Sequence, residues 1–333
     1  MDLNKALKIM EIEPIRRLDF IEANQIMTNF VDCLLYTFPK LQLNRSALLT
    51  KMFDCTMYLA NFPENLGSAN YIYQNKSIYY RGDTDISILD DYMVHELIHY
   101  FQDTRDKHGK LEQMGLCYFL EFKIHGMAMN EAAVQYVTSR MLEHYEEEIE
   151  YAGITAKTIS KDYYPLLCNL IMQMVYLVGE DSLIDSTLFS TDKFLYSFMD
   201  IVGETSTKEI QAGFDELLEA KQNMKTEAIK AIYEKVQNKI FTSYFEQIHL
   251  IETIEEAEEY KDKLEGYRDV MGNLDNYAFY NEYTEKALEK LDKKIISISR
   301  KNSKNMLTVI SNNKIFAIFR LIRNFFRTKV KDV

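Results

Sequence analysis

Proline and glycine are scarce, with four and 11 in 333 residues. A sheet-rich chain with many turns needs more of both. The long Glu-, Lys-, Leu- and Ile-rich runs therefore point to a mostly helical protein. Cysteine is also rare. Cys33, Cys55, Cys117 and Cys168 are scattered and form no Cys-x-x-Cys pair. They read as reduced, mostly buried thiols in a chain too long to need a disulfide framework. Positive charge is in deficit: the formal net charge is -12, which argues against a general nucleic-acid binder. No apolar run reaches transmembrane length. The first twenty residues carry Asp2, Glu11, Glu13, Arg16, Arg17 and Asp19 and contain no apolar run of signal-peptide length, so a cytoplasmic protein is expected. The 47% hydrophobic content is enough for a substantial core, in one large domain or two modest ones.

Histidine is rare too, with six in the chain, yet two of them fall in Asp90-Asp91-Tyr92-Met93-Val94-His95-Glu96-Leu97-Ile98-His99-Tyr100-Phe101. This is His-Glu-x-x-His, the zinc-hydrolase pattern. On a helix, residues four apart share a face, so both imidazoles reach one metal. Glu96 lies one position round from His95, where a base for an activated water belongs. Asp90 or Asp91 suits the helix cap, and Met93, Val94, Leu97, Ile98 and Phe101 supply apolar cover.

Upstream, the apolar spacing predicts helices over 15–38 and 46–62. Tyr71-Ile72-Tyr73 and Ser77-Ile78-Tyr79-Tyr80, separated by Gln74-Asn75-Lys76, predict a hairpin whose edge can pair with an extended peptide. Downstream, His108 sits in a polar loop. The longer motif with a third histidine is broken, because Gln102 and Arg105 stand at its Gly and His positions. Residues 112–121 read as a helix start. Residues 125–137 read as a helix in which Ala132, Ala133, Val134 and Val137 pack closely. Glu131 lies on that surface, and an acid there needs a partner or a metal. His125 and His144 read as surface or cleft-lining residues, and the acids from Glu143 to Glu148 as a solvated helix face.

His-Glu-x-x-His followed on a later helix by Asn130-Glu131 resembles the gluzincins, the thermolysin-like and aminopeptidase-like zinc peptidases. The likeness covers about residues 70–140. It implies His95, His99 and Glu131 as zinc ligands and Glu96 as base and proton shuttle. It also implies a hydrogen-bond partner for a ligand His four residues past the ligand Glu, where this chain has Gln135 in place of Asp. A later His or Tyr is expected to hold the oxyanion. His249 is the candidate by residue type, with Tyr136, Tyr163 and Tyr164 as alternatives among 23 tyrosines.

The rest of the chain reads as helices. The first, over 166–178, is almost wholly apolar and ends at Gly179. From Lys293 the charge changes sign, and Asp332 is the one acid before the end at Val333. Residues 315–327 alternate apolar groups with arginines, a pattern suited to an anionic membrane or an acidic protein surface.

The expectation is thus a mainly α protein with a small β-hairpin or sheet, built on a zincin-like α+β core with added helices. Residues 1–140 would form the helical layer, hairpin and zinc site, 141–292 a helical domain completing the cleft, and 293–333 a basic amphipathic tail. The expected function is zinc-dependent hydrolysis of a peptide or protein. The alternatives are zinc hydrolysis of a non-peptide substrate and a non-enzymatic helical interaction protein.

Overall fold

A computed structural model describes residues 3–63, 66–120, 123–272 and 277–301. It is mainly helical with small sheets. The order is α1 (Leu3–Ile9), β1 (Glu13–Arg17), α2 (Phe20–Thr37), α3 (Arg45–Met52), β2 (Thr56–Asn61), β3 (Ala69–Ile72), β4 (Ser77–Arg81), α4 (Asp91–Gln102), β5 (Asp103–Arg105), β6 (Leu111–Met114), β7 (Tyr118–Leu120), β8 (Lys123–His125) and α5 (Met127–Met141). There follow β9 (Glu147–Tyr151), β10 (Ile154–Thr158), α6 (Pro165–Val178), α7 (Glu180–Phe189), α8 (Lys193–Val202), α9 (Glu204–Gln222), α10 (Thr226–Phe245) and α11 (Ile254–Met271).

The expected hairpin is present as β3 and β4, which pair antiparallel from Ala69↔Tyr80 to Ile72↔Ser77. It belongs to a larger sheet than the sequence suggested, in the order β1-β2-β4-β3, with β2 and β4 parallel. Two of these strands fall within segments expected to be helical. The helix expected over 15–38 starts only at Phe20, because Asp19 caps it: its carboxylate accepts from the Ile21 and Glu22 amides, and Glu22 reaches back to the Asp19 amide. Residues before the cap join β1. The helix expected over 46–62 ends at Met52, and β2 pairs with β4 from Thr56 to Ala60 as a central strand.

Two more helical expectations are corrected. Within 112–121, residues 112–114 and 118–120 lie in strands on either side of a turn at Gly115, whose φ of +56° favours glycine. The acidic run does not continue a helix. Glu147–Tyr151 pairs with β10 across Ala152 and Gly153, both at positive φ, the two-residue turn that suits a hairpin. The acids remain solvated, Glu147 and Glu148 on the strand and Glu143 and Glu146 in the segment before it. The apolar helix ending at Gly179 is present as α6.

The main core packs Ile26, Phe30 and Leu34 of α2 with Ile78 and Tyr80 of β4, Val94, Leu97, Ile98 and Phe101 of α4, and Val134 and Val137 of α5. Every residue from Met93 to Gln102 is buried. A helix covered on all sides has few ways to move, which suits it to carry ligands. Among the described residues, no single helix is long and apolar enough to cross a membrane.

The chain divides into two compact units. The first comprises Met1–Tyr244 with Tyr267–Tyr277, and the second runs from Phe245 to Gly266 and from Ala278 onward. The boundary expected near residue 140 falls inside the first unit, at the end of α5. The second unit carries a 3-10 turn at Glu246–Leu250, and residues 277–301 are helical. The segment 315–327 lies outside the described residues.

Candidate metal centre

Asp90 caps α4 by accepting from the Met93 amide at 2.8 Å. Within the helix the i, i+4 spacing brings the His95 and His99 rings edge to face, with centroids 4.7 Å apart and their Nε2 atoms 3.1 Å apart. α5 packs on α4 through Val134 and Val137, and its Ala128, Ala132 and Ala133 are small and fully buried. Its N-terminus is capped across the fold by Asp215 of α9, whose carboxylate accepts from the Gly126 and Ala128 amides at 3.3 and 3.0 Å. Glu131 is thereby delivered to both imidazoles, 3.3 Å from each Nε2.

His95, His99 and Glu131 each offer one ligand atom within a single cluster. The donor set fits zinc. Donors about 2.0–2.1 Å from a tetrahedral zinc lie about 3.3 Å from one another, close to the separations seen here. The outer partners fit as well. His95 Nδ1 is 3.0 Å from Gln135 Oε1, and His99 Nδ1 is 3.1 Å from Gln102 Oε1. An amide oxygen can only accept, so each Nδ1 carries a proton, and a metal replacing the Nε2 contacts to Glu131 would take the Nε2 lone pairs. The same residues could hold another divalent ion of similar preference.

Gln135 therefore fills the supporting role expected of it. Gln102 was legible only as a break in a longer motif, yet it supports the other ligand. It is locked by a reciprocal amide pair: Gln102 Nε2 donates to Asn130 Oδ1 at 3.0 Å, and Asn130 Nδ2 donates to Gln102 Oε1 at 3.1 Å. Both residues are fully buried. A Cβ at Gly115 would stand 2.0 Å from Asn130 Oδ1, so this glycine makes room for the pair.

Electrostatics separate the two carboxylates. Burial opposes ionisation of Glu131, but the charge on His99 and hydrogen bonds from both imidazoles outweigh it and hold the carboxyl well below the usual range. Burial likewise opposes the His99 cation, but Glu131 prevails and pushes its pKa up to about 9. Glu96 differs: burial dominates and raises its carboxyl above the usual range. Its Oε2 accepts from the Tyr71 amide of β3 at 2.7 Å. That bond shows which way the strand faces. Tyr71 turns its peptide N–H away from β4, so alternation along β3 turns that of Ala69 the same way.

Glu96, His99 and Glu131 line a cleft of about 500 Å³ together with β3, Tyr163 and Tyr164. Of the oxyanion candidates, the structure brings Tyr163 and Tyr164 to the metal group. The Tyr163 ring stands edge-on to His95 at 5.0 Å, and the Tyr164 ring lies against it at 4.4 Å. Tyr164 adopts a left-handed backbone, φ 53° and ψ 44°, uncommon for a bulky side chain. Tyr136 is instead committed to Glu180 at 2.8 Å. His249 is exposed on the 3-10 turn of the second unit and is not among the cleft residues. His108 is exposed in the turn between β5 and β6. His125 stacks on Tyr118, and His144 faces Asp91 at 3.5 Å.

No family model, curated protein or solved structure matches the chain.

Proposed function

We propose that this chain is a zinc-dependent peptidase with a zincin-like core. The reading rests on one observation: His95, His99 and Glu131 converge on a single point while Glu96, held apart from them, faces the same cleft. The core assignment is supported by a ligand-bearing helix packed beside the edge strand of a mixed sheet.

A zinc ion held there supplies a Lewis acid for the carbonyl and lowers the pKa of a water. Glu96 accepts the proton of the attacking water and passes it to the departing amine. Its raised pKa makes it a better base than an exposed carboxylate. The Tyr71 amide holds Glu96 in place without using a side chain. Tyr163 and Tyr164 are the donors for the developing oxyanion, in place of His249. The open edge of β3 favours a peptide over other hydrolysable substrates, because an extended chain can pair with the Ala69 peptide group and the Tyr71 carbonyl, the Tyr71 amide being taken by Glu96. Beyond them the edge is closed: Arg105 donates to the Tyr73 carbonyl and is itself held by Asp103.

The test is cleavage of a mixed peptide library by the zinc-loaded full chain, by the chelated chain and by His95→Ala. Cleavage only by the first supports the reading. Zinc binding without peptide cleavage favours hydrolysis of a non-peptide substrate.

A further inference from the structure

We propose that Ser160 is a positioning residue: through Gln135 it ties the ligand His95 to the Tyr163–Tyr164 corner, so that filling the metal site orders that corner. The inference rests on the metal reading above and concerns residues outside the ligand set.

The link is a chain of three hydrogen bonds. His95 Nδ1 donates to Gln135 Oε1 at 3.0 Å, Gln135 Nε2 donates to Ser160 Oγ at 2.9 Å, and Ser160 Oγ donates to the Tyr163 carbonyl at 2.6 Å. His95, Gln135 and Ser160 are all nearly inaccessible, so water offers none of these groups a ready alternative. Ser160 is itself anchored, its amide donating to Thr158 Oγ1 at the end of β10 at 3.1 Å.

Proton direction gives the chain its consequence. A cation at Nε2 requires the proton on Nδ1, and every later donor then has one assignment, ending with the Ser160 hydroxyl on the Tyr163 carbonyl. Without the cation His95 can adopt the other tautomer. Nδ1 then accepts, the Gln135 amide turns over, and the Ser160 proton goes to Gln135 Oε1. The Tyr163 carbonyl then keeps only the long contact from the Cys168 thiol, whose Sγ stands 3.9 Å away.

Packing fixes the Tyr163 ring against Tyr92 and His95, and the Ser160 bond fixes its backbone carbonyl. Tyr163 borders the catalytic cleft and also a second cavity of about 430 Å³ lined by Asp91, Tyr92, His144 and Lys161. The next residue, Tyr164, holds a left-handed backbone that costs energy to maintain.

The test is hydrogen exchange of the full chain with and without zinc, for wild type, Ser160→Ala and Ser160→Thr, with zinc content measured on the same samples. Zinc is expected to slow exchange of the amides in 161–168 severalfold in wild type. Ser160→Ala is expected to bind zinc yet lose most of that protection, and Ser160→Thr, which keeps the hydroxyl, to restore it. Zinc binding to wild type with no change over 161–168, or full protection in Ser160→Ala, overturns the coupling alone. Failure of wild type to bind zinc overturns the metal reading and the coupling with it.

Discussion

At the scale of single residues, the proposed metal site depends on the amides behind the imidazoles as well as on His95, His99 and Glu131. Both imidazoles are oriented by a glutamine rather than an acid, so the metal site gains no charge from its outer partners. Removing such a partner typically weakens metal binding about 10–100-fold. Gln135→Ala and Gln102→Ala are both expected to do so in a competitive chelator titration. Gln102→Ala should also lower stability more, because it leaves the buried Asn130 Nδ2 without its partner, at about 1–3 kcal/mol, while Oδ1 keeps the Leu116 amide. Gly115→Ala attacks the same pair from outside. Overpacking against Asn130 and Gln102, with a left-handed backbone, should cost roughly 2–4 kcal/mol in urea unfolding of the metal-free chain. An unchanged unfolding midpoint would show that the amide pair can move aside.

At the scale of elements, α4 and α5 were legible because their constraints are local: a cap, an i, i+4 pair, and small residues around one acid. β1 and β2 were not. Ile15, Leu18 and Ile21 share a helical spacing with the residues that follow, and only the Asp19–Glu22 capping box shows where the helix truly begins. The Asp215 cap on α5 joins residues 87 and 89 positions apart, a separation no local pattern reveals. Tyr163 and Tyr164 were two of 23 tyrosines until the fold turned them to His95. The α2 cap also carries a pH dependence. The hydrogen bond from Arg16 and that from the Asp19 amide pull the Glu22 carboxyl down to about 2. A carboxyl depressed by folding stabilises above its unfolded pKa, near 4.5, and that contribution fades as the pH falls from about 4.5 toward 2. Thermal unfolding across this range should show a smaller acid-induced drop in Tm for Glu22→Gln than for wild type. The pair is exposed, so the difference is expected to be small and to shrink further in salt.

At the scale of the whole molecule, the metal group, the base, the edge strand and the tyrosine corner all belong to the first compact unit. Zinc bound to the folded form alone should therefore stabilise that unit by mass action, about 2.7 kcal/mol at a free concentration one hundred times Kd, and a chelator should reverse the shift in Tm. The central claim is narrower: Glu96 acts on the proton of a water, while His95, His99 and Glu131 hold the metal. Glu96→Gln keeps the shape of the side chain and removes the base. The decisive measurement is zinc content and peptide cleavage on the same preparations of wild type and Glu96→Gln. The expected result is equal zinc in both and a fall in turnover of about 10²–10⁴-fold in the variant, the usual worth of a positioned acid–base group. Cleavage by Glu96→Gln at the wild-type rate, with zinc retained, would contradict the account.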